Sequence, residues 1–129
     1  MNGRYLLDTN AAIALLNGEP PILDFVLGAD ELFLPVISVG ELYFGAEKSG
    51  RRDANRASIE EFMVGKVVLS CDLPVAQEYG RLRAALRRQG TPLPGNDTWI
   101  AAIALYHALT LVTRDKHFRR VPELSSVEW

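Results

Sequence analysis

Four acidic residues occupy positions at which an α/β fold would gather side chains for chemistry. They lie after apolar runs or near the starts of helix-forming segments, and they are Asp8, Glu41, Asp97 and Asp115. Carboxylates that meet at short range repel one another unless a positive charge compensates them. Hard divalent cations supply that charge, and Mg²⁺ and Mn²⁺ prefer oxygen ligands. The pattern therefore predicts a magnesium or manganese site.

The other metal-ligating residue types are too few and too scattered for a zinc site. His107 lies in a segment rich in Ala, Leu and Tyr, where a structural role is expected. His117 follows Asp115 closely, so contact with a substrate is an alternative to a surface role. Cys71 is the only cysteine and is predicted to be a small packing residue.

Asp8 has a structural interpretation beside the chemical one. The apolar residues 5–7 predict a strand buried on both faces, and an Ala-rich helix former follows at residue 11. An aspartate at that junction caps a helix well without any further function. In open α/β sheets, however, ligands bind outside the carboxyl ends of the strands, where Asp8 would stand. Both interpretations remain open from the sequence.

Glu41 also has a structural alternative. Ser38 and Glu41 have the spacing of a capping box, in which each side chain bonds the backbone N–H of the other residue. On that interpretation Ser38 is the N-cap and Glu41, in the first turn, only starts a helix over residues 39–49. The metal interpretation instead requires the negative charge of Glu41.

Strands and helices are predicted to alternate along the whole chain. Strands are expected at residues 5–7, 32–34, 66–69 and 109–112 and near Val127, with helices between them. This order predicts an α/β fold with three layers, α/β/α, and a mostly parallel sheet of about five strands. Residues 1–129 are expected to form one domain. If the first and fourth strands are neighbours, the four carboxylates converge on one edge of the sheet.

The basic residues are concentrated in one segment. The net charge is −2, but residues 81–120 carry eight Lys and Arg and only two acids, Asp97 and Asp115. A basic segment around two isolated carboxylates suggests phosphate contacts around a metal site. A solvated basic helix face is the alternative for the arginines at the start of this segment, which are Arg81, Arg83, Arg87 and Arg88.

The composition is that of a globular chain, with 48% hydrophobic and 23% charged residues. No apolar run approaches the ~20 residues that span a bilayer, and the N-terminus does not resemble a signal peptide. A single cysteine excludes an internal disulfide. We therefore expect a cytoplasmic protein.

Four segments together resemble the acidic motifs of PIN-domain nucleases, and their order resembles the VapC-type ribonuclease toxins of toxin–antitoxin pairs. The segments are LDTN at residues 7–10, SVGEL at 38–42, NDTWIAA at 96–102 and TRDKHF at 113–118. The resemblance covers nearly the whole chain. It implies a PIN-like fold and a magnesium- or manganese-dependent endoribonuclease.

The resemblance also implies roles for particular residues and partners. The matched acidic positions hold the metal and catalyse RNA cleavage, and Thr113 matches a polar position that supports the site; the acidic positions are Asp8, Glu41, Asp97 and Asp115. A cognate antitoxin that blocks the site is implied, as is a homodimer. Three consecutive apolar residues, Leu42, Tyr43 and Phe44, cannot all face one core, which also favours a partner surface. The RNA target does not transfer, because the middle helices vary widely in the family.

Two other functions remain as alternatives. A phosphatase could use Asp8 as a covalent nucleophile, although that chemistry usually has a second aspartate where this chain has Asn10. A non-catalytic RNA- or protein-binding module would bind without divalent metal. Metal hydrolysis of a phosphodiester requires an activated water and a stabilised leaving oxygen, and metal ions provide both.

Overall fold

A five-stranded sheet forms the centre of the protein, whose computed structural model describes residues 3–129. The strands are short and all neighbouring pairs are parallel. They are β1 (Arg4–Leu7), β2 (Glu31–Pro35), β3 (Val67–Leu69), β4 (Thr110–Val112) and β5 (Ser126–Val127). The predicted parallel α/β class is confirmed.

Six α-helices cover the sheet. They are α1 (Thr9–Leu16), α2 (Pro20–Val26), α3 (Val36–Lys48), α4 (Arg52–Met63), α5 (Leu73–Gln89) and α6 (Gly95–Tyr106). A short 3-10 helix, Lys116–Arg120, follows β4. The helix α5 ends at a glycine, as predicted. Gly90, at φ +76°, adopts the left-handed conformation that glycine accepts without strain.

The strand order is β3-β2-β1-β4-β5, so β1 is central and pairs with both β2 and β4. Leu6 lies opposite Phe33 on one side and Leu111 on the other. The order reverses between β1 and β4, since the chain leaves β1 toward one edge and later returns to its other side. That reversal opens a crevice at the carboxyl ends of these two strands, where open α/β folds bind ligands.

Successive residues of the central strands serve opposite layers. Leu6 and Leu111 pack against α5 and α6, whereas Leu7 and Val112 pack against α1, α2 and α3. All four side chains are fully buried. Burying a leucine or valine contributes about 1.5–3 kcal/mol to stability. Because both faces of these strands are buried, successive residues are all apolar and do not alternate with polar ones. This confirms the three-layer α/β/α prediction.

The middle helices form a third, smaller cluster between α3 and α4, centred on Leu42, Ala46 and Ile59. The three consecutive apolar residues of α3 separate as predicted: Leu42 is buried, Tyr43 is half-buried and Phe44 is 57% exposed. Among residues 3–129, no helix is both long enough and apolar enough to cross a membrane.

Candidate functional site

The carboxyl ends of β1 and β4 meet at the crevice and are joined by the backbone. The N–H of Asp8 donates to the carbonyl of Val112 at 3.2 Å, one residue beyond the paired strands. Asp8 and Thr113, which follow the two strands, are both only 4% exposed. Two polar residues buried this deeply at a strand edge need partners, because an unpaired buried polar group is costly.

Asp8 is the N-cap of α1, as its structural interpretation predicted. One carboxylate oxygen, Oδ1, accepts a hydrogen bond from the N–H of Ala11 at 2.8 Å. Burial nevertheless raises the pKa of Asp8 above its usual value, and the charge of Asp115 raises it further. Hydrogen bonds from Thr113 and from Ala11 offset only part of that rise. The hydrogen bond of the cap therefore does not offset the full cost of burying the ionised carboxylate of Asp8.

Asp97 is the third residue of α6, and its half-buried side chain approaches Asp8 from another layer. Burial is the largest cause that raises the pKa of Asp97, followed by the charges of Asp115 and Asp8. His117 acts in the opposite direction. Because the charge of Asp115 raises the pKa of both Asp8 and Asp97, the three side chains share one electrostatic environment. We call Asp8, Asp97 and Asp115 the acidic cluster.

Asp115 forms hydrogen bonds with the residues two positions before and two positions after it. Its N–H donates to the hydroxyl of Thr113 at 2.9 Å, and its Oδ1 accepts from the N–H of His117 at 2.9 Å. The Nδ1 of His117 lies 3.2 Å from the same oxygen. Thr113 is also close enough to Asp8 to lower the pKa of the Asp8 carboxyl, so it lies between two members of the acidic cluster.

Within residues 3–129, no hydrogen bond joins Glu41 directly to the acidic cluster, and its side chain is exposed on α3. Its Oε1 accepts from Nδ2 of Asn96 at 3.3 Å, and Asn96 directly precedes Asp97. Asn96 lies in the NDTWIAA motif at residues 96–102. Its contact with Glu41 joins residues that are 55 positions apart, so no local sequence pattern indicates it. The side chain of Glu41 is exposed and makes no cap.

The capping-box interpretation of Glu41 is wrong. The helix α3 begins at Val36 with Pro35 as its N-cap, so Ser38 is inside the first turn and Glu41 is in the second. Pro35 is both the last residue of β2 and the N-cap, so the helix begins directly after the strand and three residues earlier than a cap at Ser38 would place it. The fully buried hydroxyl of Ser38 instead lies 3.0 Å from that of Thr9 and joins α3 to α1.

The donors at this edge are anionic oxygens, which is the chemistry that hard divalent cations require. As the side chains stand, no three His, Cys, Asp or Glu groups between residues 3 and 129 are close enough to enclose one ion. Mutual repulsion separates carboxylates, and Mg²⁺ usually keeps several waters rather than using an all-protein cage. The edge thus offers carboxylate oxygens, the ligand type of a hard divalent cation, but the described side chains do not enclose one.

Comparisons with known proteins agree with this architecture. A family model described as the PIN domain matches residues 5–124. The chain is 36% identical to "Ribonuclease VapC2" of Haemophilus influenzae, across 98% of both chains. It is 33% identical to the "tRNA(fMet)-specific endonuclease VapC" of Salmonella typhimurium, again across 98% of both.

A solved structure gives the same result in three dimensions. The DNA-bound VapBC of Salmonella typhimurium contains a chain that superposes with a TM-score of 0.89 at 33% identity, covering 100% of this chain and 99% of that one. The sequence and the fold therefore both match those of PIN-domain proteins over nearly the full length compared. This chain belongs to the PIN-domain family.

Proposed function

We propose that this protein is a divalent-metal-dependent endoribonuclease and the toxin of a toxin–antitoxin pair. The observation that carries the proposal is the acidic cluster at the β1–β4 crevice, where burial and the charge of Asp115 raise the pKa of both Asp8 and Asp97. Relatives with ribonuclease names that match nearly the full length support the activity.

Asp8, Asp97 and Asp115, with Glu41 beside them, would hold magnesium or manganese. A metal bound there supplies an activated water and stabilises the charge on the leaving oxygen of a phosphodiester. The chain's own contribution is positioning: Ala11 and Thr113 fix the Asp8 carboxylate, and Asn96 steadies Glu41.

The phosphatase alternative is disfavoured by the environment of Asp8. A carboxylate nucleophile must reach a phosphorus atom, but Asp8 is only 4% exposed and accepts hydrogen bonds from Ala11 and Thr113. The crevice therefore presents Asp8 as an anchored ligand. A phosphorylated Asp8 trapped with a phosphate ester would contradict this assignment.

The proposed protein partner is a cognate antitoxin. Structures similar to this chain are described as VapBC complexes, in Salmonella typhimurium and in Rickettsia felis. An arginine inserted by the partner could neutralise the acidic cluster, because its planar fork pairs with carboxylates. The complex co-purified with its antitoxin should then leave RNA intact, and cleavage as fast as that of the free protein would rule out inhibition by site occupancy.

We also propose a homodimer, for which exposed Phe44 on α3 is the structural support. A phenylalanine with more than half its surface in water favours burial against a partner. Light scattering of the free protein measures this directly, and a strict monomer at high concentration would refute it.

The experiment that tests the ribonuclease proposal compares two aspartates in first helical turns. Asp97→Asn at the start of α6 should lower RNA cleavage by on the order of 10²–10³-fold, as loss of one essential electrostatic group does. Asp53→Asn at the start of α4 removes a comparable charge from an exposed helix start and should leave cleavage unchanged.

Chelation provides the second arm of this experiment. Excess chelator should abolish cleavage by the wild-type protein, and added Mg²⁺ or Mn²⁺ should restore it. Full activity in chelator, or equal activity of the two variants, would exclude a metal-dependent site at the acidic cluster. RNA binding that persists without cleavage under every metal condition would favour the binding-module alternative.

A further inference from the structure

A cavity of about 290 Å³ lies between α5 and the proline-containing loop that leads into α6. Arg83 and Arg87 provide its charged wall, and Leu86 and Leu93 contribute apolar surface. Thr98 closes it from α6. Because Thr98 follows Asp97, the cavity adjoins the helical turn that carries one member of the acidic cluster.

The two arginines of this cavity have no carboxylate partner within 4.0 Å among residues 3–129. They are four residues apart and share one face of α5. Arg81, on the same helix, differs: it forms ion pairs with Glu78 and with Glu123, the latter at 3.2 Å. The positive charge of Arg83 and Arg87 is thus available to an outside anion.

Arg83 is oriented by aromatic neighbours. Its Nη1 donates to the hydroxyl of Tyr79 at 2.9 Å, and the ring of Tyr79 stacks on Trp99 with centroids 4.0 Å apart. A guanidinium has five N–H donors, so this one bond leaves donors free. A fixed guanidinium loses less entropy when it binds an anion than a freely rotating one.

The opposite wall is also fixed before any ligand arrives. The carbonyl of Pro92 accepts from Nη1 of Arg120 at 2.6 Å, and the carbonyl of Pro94 accepts from the hydroxyl of Thr98 at 2.9 Å. Prolines restrict the backbone of this loop further. A preorganised cavity with cationic and apolar walls fits a ligand that has an anionic group joined to an apolar face.

We propose that this cavity is a nucleotide subsite, in which Arg83 and Arg87 bind a backbone phosphate of single-stranded RNA that flanks the cleaved bond. The apolar wall formed by Leu86, Pro92 and Leu93 receives the adjoining ribose or base. The inference rests on the proposed ribonuclease function and extends it to substrate placement. A polyanion approaching the acidic cluster is repelled there, and cationic residues beside the cluster offset that repulsion.

The test measures RNA affinity as a function of salt in an Asp97→Asn background, so that the RNA stays intact. The probe is a fluorescein-labelled single-stranded RNA of mixed sequence, followed by fluorescence anisotropy. Each phosphate contact on a single strand contributes about 0.7 to the slope of log K against log salt. Replacing both residues, Arg83→Gln with Arg87→Gln, should reduce the magnitude of the slope by about 0.7, because the one phosphate that they bind together is no longer neutralised.

A matched control removes the same charge from the same helix. Arg81→Gln with Arg88→Gln replaces two exposed arginines of α5 that do not line the cavity. This control should retain the wild-type slope. Equal slopes for the two double variants would overturn the proposal, because the effect would then be one of net charge alone.

Lysine variants keep the test decisive if the glutamine variant does not fold. Arg83→Lys with Arg87→Lys preserves charge and should retain most of the salt slope, while affinity falls because lysine cannot bond bidentately. Unchanged affinity in this variant, or weakened binding of the antitoxin with RNA binding unaffected, would overturn the subsite. Wild-type cleavage is measured separately: its absence, with RNA binding still dependent on Arg83 and Arg87, would refute the ribonuclease function and leave an RNA site in the cavity.

Discussion

Asp8 and Glu41 belong to different elements, the end of β1 and the helix α3, and are held in different ways. Asp8 is buried, capped onto α1 and bonded by Thr113, so its position is determined by the core itself. Glu41 projects from the second turn of α3 into solvent and has one contact at 3.3 Å, with Asn96. One carboxylate is therefore preorganised and carries the cost of burial, whereas the other can move with little energetic consequence.

Neutralising the two carboxylates separately should reveal this difference most strongly. Asp8→Asn should lower RNA cleavage by on the order of 10²–10³-fold, because it removes a fixed charge from the acidic cluster. Glu41→Gln should lower cleavage by less, about 10–100-fold, since an exposed side chain can be replaced in part by water. Initial rates of RNA cleavage at limiting Mg²⁺ measure both effects.

The thermal stability of the same variants provides the control. Glu41→Gln should shift stability by no more than about 0.5 kcal/mol, as exposed substitutions usually do. Asp8→Asn retains an N-capping side chain and should not destabilise the metal-free protein. Wild-type cleavage by Glu41→Gln at limiting metal would return Glu41 to a surface role and reduce the site to the three aspartates.

The pH dependence of stability should next reveal the cost of burying Asp8. The pKa values of Asp8 and Asp97 are raised above 3.8, so the folded state binds protons more tightly than the unfolded state does. In the chelated protein these two groups therefore lower the free energy of unfolding as pH rises from 3.8 through the raised folded values. Asp8→Asn should flatten that decline, because the group with the raised pKa is removed.

Thermal unfolding at a series of pH values in chelator checks this expectation. Added Mg²⁺ should restore stability above the raised pKa values, because a ligand that binds only the folded state stabilises it. An identical pH profile for wild type and Asp8→Asn would show that Asp8 carries no cost of burial.

The smallest expected effect concerns the contact between α1 and α3. Ser38→Ala removes the contact between the hydroxyls of Ser38 and Thr9 and should cost about 1 kcal/mol in the free energy of unfolding. The cost should shrink in a Thr9→Ala background, since the contact is then already absent. Chemical denaturation of the four proteins in this cycle measures the coupling, and full additivity would mean that the contact contributes nothing.

The sequence was most informative where local chemistry and the fold agree. The apolar run before Asp8 and the one before Thr113 predicted buried strands. That these two strands are neighbours was only a condition at that point, because alternating strands and helices do not determine the order of strands in a sheet. The start of α3 could not be predicted as well, because Ser38 and Glu41 imitate a capping box while Pro35 sets the true boundary. The partner of Ser38 is 29 residues away and leaves no local signal.

The same limit applies to the rim of the crevice. Asn96 was visible only as a neighbour of Asp97, since its contact with Glu41 depends on how α3 and α6 pack. The arginines of α5 were equally ambiguous between a solvated face and a phosphate site. Only the ion pairs of Arg81 and the absence of such pairs for Arg83 and Arg87 within residues 3–129 separate these two roles.

The pairing of β1 with β4 also has a consequence for how the protein is made. A ribosome synthesises β1 first, yet one edge of this central strand stays open until residues 110–112 emerge. Asp8 meets Thr113 and Asp115 only after that late pairing, so a nascent chain carries no assembled acidic cluster. Residues 110–115 must therefore be synthesised before the acidic cluster can form and before any activity that depends on it.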